Sequence, residues 1–570
     1  MITMKWSNYQ QKIFESIGPS HNMLIEAVAG SGKTTTIVEI VKLLKKKGLV
    51  SGNNGNGLVC AFNKHIEVTL SQKIKGTKFV SKTLNAIGHG ILTKKKYRHK
   101  ITVDTKKYYK ICEEVAESFT PSDLYLYGLK GLINEEFEGK SNGMPTKGRV
   151  QARKKPDYPY VFDDFMDFVQ VVNTCRKEYS KHNLSLNDLT QLMEEYPLEI
   201  SDYLHGKEIH LSIALEAVKK ALQYGIKSYQ ESHLIDFTDQ LWIPLTLGFK
   251  PVKQYDWIIV DESQDLNLNQ ARLIKVLGKP SSTYIFVGDS KQSIYLFNGA
   301  KPDCMSLIKK YFKCNEYPLS LCYRCPPNHL ELAKEYNPQI EAFKQEDGLI
   351  KQLTITEVRD LVKGCYQTGT EILLISRLNY IFFDVLCQCA FGDKIKVSLL
   401  GKDLAGELVK LARQILPSRF TDFNKINQII NGYVEYYSEQ MDSIKADYCK
   451  CLMSIWRYIE PSTINDLENV LNSVIIPEGV IKFGSIHRAK GTEADHVVIL
   501  GDNLLPYTPT NRELTSKETL QEENLTYVAF TRSKENLYLV PYTNGNDEHP
   551  EVELNLNDDY VYSADIDYGF

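Results

Sequence analysis

The segment from Ala27 to Thr34 combines small residues, a lysine and a threonine in an order that suits phosphate chemistry. It follows the apolar run 23–25 and precedes a helical pattern that begins at Thr35. The backbone amides of such a loop turn towards phosphates, and the dipole of the following helix adds to the attraction. Lys33 is then placed to reach the β- and γ-phosphates, and the Thr34 hydroxyl to ligate Mg²⁺. Although Ala27 replaces the usual first glycine, the segment predicts a nucleoside triphosphate site.

Paired carboxylates, Asp261 and Glu262, follow a second apolar run at 257–260. A buried parallel strand that ends in this way places both groups at the carboxyl edge of a sheet, where α/β proteins hold ligands. Asp261 is expected to hold the Mg²⁺ shell, and Glu262 to orient and deprotonate an attacking water. Acidic clusters are common on protein surfaces, so this interpretation depends on the phosphate loop that precedes the pair. The long separation from Lys33 predicts an insertion between the two strands.

A third apolar run, 284–287, leads into a segment that begins at Gly288 and ends at Ala300. Its pattern, Gly-Asp-x-x-Gln-x-Ile-Tyr-x-Phe-x-Gly-Ala, closely resembles motif III of superfamily 1 helicases of the UvrD/Rep type. Other segments resemble further motifs of that family, in the family's order. They are Asn8–Gln11 (Q motif), Ala61–Lys64 (motif Ia), Lys82–His89 (Ib), Asp261–Asp265 (II), Cys322–Cys325 (IV), Ser485–Glu493 (V) and Tyr527–Arg532 (VI). The resemblance spans residues 8 to about 540, nearly the whole chain.

The resemblance implies ATP and Mg²⁺ as cofactors and gives roles to matching residues. Gln11 would pair with the edge of adenine, Tyr323 would stack on its face, and Glu493 would accept a hydrogen bond from the ribose. Gln292 would sense the γ-phosphate, and two arginines would close on it from the second core domain, a task that suits the bidentate guanidinium. The implied catalytic residues are Lys33, Asp261, Glu262, Gln292, Arg324 and Arg532; the implied nucleotide contacts are Gln11, Ala29, Gly30, Ser31, Gly32, Lys33, Thr34, Thr35, Tyr323 and Glu493; the implied metal ligands are Thr34 and Asp261.

Nucleic-acid contacts are also implied by the resemblance. Phe62 and Phe297 match positions where the family stacks aromatic rings on the bases of a single strand, a contact worth about 1–3 kcal/mol per base. Core packing is the alternative for either phenylalanine. The remaining candidates for strand contact are Asn63, Lys64, Tyr295 and His487.

Strands that alternate with helices around these motifs predict an α/β fold with two RecA-like P-loop NTPase core domains, each with a parallel sheet and a mainly helical insertion. The first core is expected from residues 1–89 and 230–320, with a helical insertion at 90–229. The second is expected from 321–400 and 476–545, with a reduced insertion at 401–475. Clusters of lysine, arginine and tyrosine in the first insertion indicate either a nucleic-acid groove or solvated surface. Residues 546–570 form an acidic tail.

Composition limits the class of protein. The formal net charge is -3, so global charge does not point to a polyanionic partner. The 12 cysteines are scattered and match no common zinc module, which favours free thiols in a reducing compartment. We expect neither a signal peptide nor a membrane span, and a cytoplasmic or nucleoid-associated location. The acidic tail is expected to fray, with docking on a protein partner as the alternative.

The leading hypothesis is an ATP-dependent translocase and helicase on single-stranded DNA and on duplexes with a single-stranded tail. The family resemblance implies 3′→5′ movement. Two alternatives share every predicted ATP residue: an ATP-gated clamp or switch that binds nucleic acid without unwinding it, and a motor on RNA. The sequence does not distinguish between repair, recombination, phage replication and defence.

Overall fold

The computed structural model describes residues 5–50, 56–93, 100–118, 165–196, 207–295, 303–401, 404–417, 419–420, 422–439, 443–509 and 513–543. The strands are β1 (Met23–Ala27), β2 (Gly57–Ala61), β3 (Phe79–Thr83), β4 (Thr102–Val103), β5 (Leu234–Ile235), β6 (Tyr255–Val260), β7 (Gly278–Gly288), β8 (Asn315–Leu319), β9 (Leu321–Cys322), β10 (Glu341–Ala342), β11 (Leu349–Gln352), β12 (Ile372–Ser376), β13 (Ser398–Leu399), β14 (Ile481–Ser485), β15 (Ala494–Leu500) and β16 (Ser533–Val540).

The helices of the first half are α1 (Asn8–Glu15), α2 (Lys33–Lys46), α3 (Lys64–Lys73), α4 (Leu84–Leu92), α5 (Lys107–Ser118), α6 (Phe165–Glu178), α7 (Leu186–Glu195), α8 (Lys207–Ser232), α9 (Asp239–Thr246), α10 (Leu268–Leu277) and α11 (Cys304–Phe312). Those of the second half are α12 (Pro327–Lys334), α13 (Ile355–Thr368), α14 (Asn379–Cys387), α15 (Leu404–Ile415), α16 (Phe423–Glu439), α17 (Ser443–Trp456), α18 (Ile464–Val474) and α19 (Ser516–Phe530).

The first lobe is built on a six-stranded sheet with the order β3-β2-β6-β7-β1-β8, in which the paired strands run parallel. Alternate residues along each strand enter two separate cores. Ile259 and Val287 pack in one core, whereas Ile258 and Phe286 pack in the other. Because helices cover both faces, the central strands are apolar throughout, as expected for a buried parallel sheet.

The second lobe repeats this design with a six-stranded sheet of order β11-β16-β15-β12-β14-β13. Its pairs are also parallel. Ile372 and Leu374 of β12 enter one core, and Leu373 and Ile375 enter the opposite one. The predicted fold class, two α/β cores with parallel sheets, is therefore confirmed. The domain boundaries stay predictions.

A helical segment departs from the first lobe between β4 and β5. These two short strands lie side by side in parallel, with Thr102 opposite Leu234. The helices α5, α6, α7 and α8 share a core that contains buried side chains such as Phe168 and Leu222 and that continues into the first lobe through Trp242 of α9. The chain therefore leaves and re-enters the first lobe at neighbouring points.

Buried ion pairs join this helical segment to the first lobe. Arg176 of α6 bonds Asp236 and Asp239, and Lys107 of α5 lies 2.5 Å from Asp239. The Arg176 guanidinium also lies 3.4 Å from the centroid of the Tyr108 ring. All these side chains are nearly or fully buried, so each charge depends on its partners for stability.

Among the described residues, no helix is both long enough and apolar enough to cross a membrane. The acidic tail, Phe297 and most of the basic clusters predicted in the first insertion lie outside the described residues. All 12 cysteines belong to the described residues, and they are buried thiols that form no disulfide with one another.

Candidate nucleotide site and nucleic-acid surface

The loop between β1 and α2 has the geometry of an anion cradle. Gly30 and Gly32 have φ values of 68° and 81°, a left-handed conformation that favours glycine. Helix α2 begins at Lys33 without a side-chain cap, so the amides of its first turn face outward towards a ligand. The buried Ser31 hydroxyl has no hydrogen-bond partner within the described structure. A bound phosphate would supply acceptors for these donors.

Lys33 and Glu262 form an ion pair across this loop, with Nζ and Oε2 3.1 Å apart. The same oxygen accepts a hydrogen bond of 2.6 Å from the Gln264 amide. Burial raises the pKa of Glu262, but Lys33 and Lys490 outweigh burial and lower this pKa to about 2. Glu262 is therefore ionised, but its basicity is suppressed while Lys33 remains bound to it.

Asp261 lies beside this pair at the carboxyl end of β6. Burial and the neighbouring Glu262 charge raise the pKa of Asp261 to about 7, against the opposing effect of Lys33. Glu262 adopts a left-handed backbone conformation, with φ of 49° and ψ of 47°, and its amide donates to Asp261. This conformation is unfavourable for a residue with a side chain and is frequent at functional sites.

The donor set fits Mg²⁺. This hard cation prefers oxygen ligands and takes one or two from the protein while substrate phosphates and waters supply the rest. Asp261 offers a carboxylate with a raised pKa, which a dication would stabilise in its ionised form. Thr34 offers a hydroxyl in the first turn of α2. These are the two metal ligands that the sequence predicts.

The loop after β7 carries the predicted sensor and contacts both lobes. The Gln292 amide donates to Asp289 at 2.8 Å. Tyr527 of α19 also donates to Asp289 and accepts from the Ala29 amide at 2.9 Å. A second-lobe tyrosine, which the sequence analysis did not single out, therefore joins the sensor loop to the phosphate loop.

A lysine that the sequence analysis did not assign, Lys490, also crosses from the second lobe. Its ammonium lies 2.5 Å from an Asp265 carboxylate oxygen and donates to the Gln292 carbonyl at 2.7 Å. It also lies 4.7 Å from the centroid of the Tyr295 ring. Lys490 therefore contacts the acidic motif, the sensor loop and an aromatic side chain at the same time.

Of the two predicted arginines, Arg324 contacts the phosphate loop from the second lobe. A methyl group built on Gly30 would lie 2.8 Å from Cβ of Arg324, so this arginine packs directly against the loop. The Arg324 guanidinium bonds Glu493 at 2.6 Å and the Thr531 carbonyl at 2.9 Å. Glu493, the predicted contact to the ribose, is thus paired with Arg324, a predicted contact to the γ-phosphate.

Arg532 is buried, with only 1% of its surface exposed. Its guanidinium donates to three neutral oxygens, on Val528, Thr492 and Thr531. Burial and the positive charge of Arg324 lower the pKa of Arg532 to about 10. An anionic phosphoryl group beside these two neighbouring cations would stabilise both charges.

The structure adds a second glutamine to the predicted base pocket, in which the contact of Gln11 with adenine stays a prediction. The Gln11 amide donates to the Trp6 carbonyl on an exposed surface. The neighbouring Gln10 is buried, donates to Thr36 of α2 at 3.1 Å and accepts from the Tyr323 hydroxyl at 3.4 Å. The structure therefore brings Gln10, and not Gln11, next to Tyr323.

The candidate nucleic-acid residues separate into two groups. Phe62 and Tyr295 are partly exposed and stacked, with centroids 6.0 Å apart and planes 11° apart. Asn63 caps α3, and Lys64 is exposed and paired with Glu67 of the same helix.

His487 belongs to neither surface group. It is buried, and burial together with nearby positive charges such as Arg377 keeps its pKa well below the usual range. A neutral, buried imidazole is poorly suited to contact a phosphate backbone. Phe297, the other stacking candidate, is outside the described residues.

The fold and this site define a P-loop NTPase with two parallel-sheet lobes. The family of UvrD/REP helicase N-terminal domains matches residues 6–313, and the family of UvrD-like helicase C-terminal domains matches residues 163–544. Each match covers more than half of the chain. The protein therefore belongs to the UvrD/Rep helicase family.

Individual relatives are more distant. The chain is 25% identical over 295 residues to an ATP-dependent DNA helicase Rep of Buchnera aphidicola, which covers 49% of this chain and 38% of the relative. It is 28% identical over 202 residues to a probable DNA helicase II homolog of Mycoplasma pneumoniae, covering 34% and 28%. It is 24% identical over 310 residues to the F-box DNA helicase 1 of Gallus gallus, covering 50% and 29%. The matches thus span well under half of each relative's length.

Proposed function

We propose that this protein is an ATP-driven motor that moves along single-stranded DNA and separates duplexes that carry a single-stranded tail. One observation carries the proposal: second-lobe side chains reach the first lobe's phosphate loop and sensor loop. Tyr527 bonds Ala29, Arg324 packs on Gly30, and Lys490 bonds the Gln292 carbonyl. A ligand between the lobes would change these contacts directly, which is what a nucleotide-driven motor requires.

The ion pair between Lys33 and Glu262 makes the basicity of Glu262 depend on whether a triphosphate is bound. Lys33 suppresses the basicity of Glu262 while the two are bound. When triphosphate binds, Lys33 has a stronger anionic partner, so the pKa of Glu262 rises towards the value that a general base needs. Glu262 then orients and deprotonates the attacking water.

The remaining groups stabilise charge on the transferring phosphoryl group. Mg²⁺, held through Thr34 and Asp261, neutralises negative charge on the phosphates when it is bound. Arg324 and Arg532 stabilise the transition state from the second lobe, and Gln292 exchanges its bond with Asp289 for a phosphate oxygen. Gln10 and Tyr323 hold the base.

Lys490 supplies the connection to the strand. Its single ammonium contacts Asp265 and the sensor carbonyl, and it lies over the Tyr295 ring that stacks on Phe62. Stacking on these rings suits any base sequence, as a motor needs. A shift of the second lobe therefore moves a cation that touches both the ATP site and the candidate strand surface. The family resemblance supports a 3′→5′ direction.

Nucleotide hydrolysis with and without single-stranded DNA tests the motor. We expect the rate of hydrolysis to rise when DNA is added. Bases that stack on Phe62 and Tyr295 would hold the Tyr295 ring in place, and Lys490 connects this ring to the sensor loop. A rate that is insensitive to every nucleic acid would contradict a motor.

Strand displacement then separates the motor from its alternatives. Duplexes with 3′ or 5′ tails, made of DNA or of RNA, are compared under the same conditions. Release from the 3′-tailed DNA duplex alone supports the proposal. Tight ATP-dependent binding without release would identify a clamp, and preferential release of RNA would identify an RNA motor. Binding of a protein partner by the acidic tail stays a prediction.

A further inference from the structure

Phe343 is an exposed aromatic side chain at the candidate base pocket. About half of its surface, 54%, is accessible to solvent. Its ring centroid lies 4.7 Å from that of Tyr323, and the two planes are inclined by 44°. No sequence motif includes this residue. An apolar ring that is left half exposed beside a ligand site offers surface for that ligand to cover.

The backbone fixes the position of this ring pair. Strand β10 runs parallel to β9, and the Phe343 amide donates to the Cys322 carbonyl at 3.0 Å. The Tyr323 amide donates in turn to the Gly30 carbonyl at 3.0 Å. Two backbone hydrogen bonds therefore connect Phe343, through Cys322 and the adjacent Tyr323, to the phosphate loop.

The spacing of the rings determines what Phe343 can do. A base held between two rings needs about 3.5 Å on each side, and thus about 7 Å between the ring centroids. Phe343 and Tyr323 are too close together for a base to enter between them. A tilted aromatic pair is instead a favourable contact in its own right, and it restricts the orientation of both rings.

We propose that Phe343 is a positioning residue that sets the tilt of the Tyr323 ring and extends its apolar face, and so strengthens nucleotide binding through the base. This inference rests on the proposed function, since it assumes that Tyr323 receives the base. Tyr323 is anchored at its other end, where its hydroxyl meets Gln10. Without Phe343, the ring loses the contact that fixes its plane.

The test compares the binding of ADP with that of inorganic tripolyphosphate, which occupies the phosphate loop but has no base. Phe343→Ala is expected to weaken ADP binding about threefold to tenfold, the range of a tilted aromatic pair, and to leave tripolyphosphate binding unchanged. The KM for ATP should rise by a similar factor while kcat is retained. Phe343→Tyr should restore binding, whereas Phe343→Leu, which keeps much of the volume, should not.

Phe237→Ala is the matched control, because Phe237 is 40% exposed and lies outside this pocket. Unchanged ADP binding by Phe343→Ala, or an equal loss of ADP and tripolyphosphate binding, would overturn the inference, the latter by showing a general structural effect. Rescue by leucine would also overturn it, because size and not the ring would then matter. Failure of the unmodified protein to bind ADP would instead contradict the proposed function.

Discussion

The two lobes share one architecture but use opposite edges of their sheets. In the first lobe, the chemistry follows the carboxyl ends of strands: Lys33 comes after β1, Asp261 after β6 and Asp289 after β7. In the second lobe, Glu493 directly precedes β15 and Arg532 directly precedes β16, so both lie at amino ends. The two parallel sheets therefore present their candidate functional residues from opposite edges, the carboxyl edge in the first lobe and the amino edge in the second.

This difference shows how a duplicated fold divides a reaction. The first lobe buries a lysine near several carboxylates, so it carries most of the groups that are proposed to hold phosphates and a metal. In the second lobe, the charges of Arg324 and Arg532 repel each other although Glu493 pairs with Arg324, and an anionic phosphoryl group would relieve that repulsion. Binding energy from that relief is available only when the lobes are together.

The largest effect is expected at the second lobe's edge. Arg532→Lys keeps a positive charge but loses the bidentate fork, and hydrolysis should fall by about 10³–10⁵-fold, the range for an arginine that stabilises phosphoryl transfer. Nucleotide binding should change far less, because the first lobe supplies the phosphate loop. Single-turnover hydrolysis and equilibrium binding measure the two effects separately. A loss confined to binding would mean that the second lobe only holds ATP.

The first lobe's edge should show the next largest loss. Glu262→Gln removes the proposed base, and hydrolysis should fall by about 10²–10⁴-fold. Binding should be retained or improved, since Lys33 no longer has a competing carboxylate. Lys42→Ala, on an exposed part of the same helix as Lys33, is the control and should behave like the unmodified protein. Near-normal turnover by Glu262→Gln would remove Glu262 from the mechanism.

A smaller effect is expected where the lobes communicate. Lys490→Met removes the ammonium that contacts Asp265 and the Gln292 carbonyl, and DNA stimulation of hydrolysis should fall by about 5–150-fold, the usual range of coupling between sites. Hydrolysis without DNA should change less. Lys482→Met removes a second-lobe ion pair with Glu371 that lies away from these contacts, and should leave stimulation intact. Equal losses with and without DNA would argue against a coupling role.

The smallest effect concerns stability without nucleotide. The pKa of Asp261 is about 7 in the folded protein and about 3.9 when unfolded, so protonation favours folding. That stabilisation is complete below about pH 4 and is lost as the pH rises through 7. Asp261→Asn should therefore raise the thermal midpoint more at pH 8 than at pH 5. At pH 8 the free energy of unfolding should increase by on the order of 1–3 kcal/mol.

Asp393→Asn provides a control of opposite sign. Burial raises the pKa of Asp393, but Arg359 and Lys363 outweigh burial and keep this pKa below its usual value. The ionised form favours folding, so this variant should lower the thermal midpoint at pH 8. An Asp261→Asn protein that is also less stable at pH 8 would contradict the electrostatic argument.

Much of the candidate nucleotide site was predictable because its residues lie in short motifs that are each continuous in the sequence. The phosphate loop and the Asp261–Glu262 pair each come directly after an apolar run, and the edge of a parallel sheet brings such positions together. The contact of Gln11 with adenine stays a prediction, whereas the glutamine that lies next to Tyr323 in the structure is Gln10. One residue along a helix rotates the side chain by about 100°, and the motif contains two adjacent glutamines. Burial of Gln10 distinguishes them, and the sequence alone does not show burial.

The sequence motifs did not predict the contacts between the two lobes. Tyr527 and Ala29 are separated by almost the whole fold, yet they form a buried hydrogen bond. Lys490 lies inside a recognised motif, but nothing in that motif indicates that its partners are Asp265 and the Gln292 carbonyl. Such pairings depend on how two sheets face each other, which neither periodicity nor spacing encodes.

The parallel pair of β4 and β5 has a consequence for how this molecule can vary. Because the chain departs and returns at adjacent points, material at the far end of the helical segment can be lengthened, shortened or exchanged without displacing the ATP-binding strands. The buried ion pair of Arg176 and Asp239 joins the segment to the first lobe, so residues at this pair are not open to exchange. Replacing only the part of the segment that lies beyond this ion pair should preserve ATP hydrolysis, whereas a replacement that removes the ion pair should not.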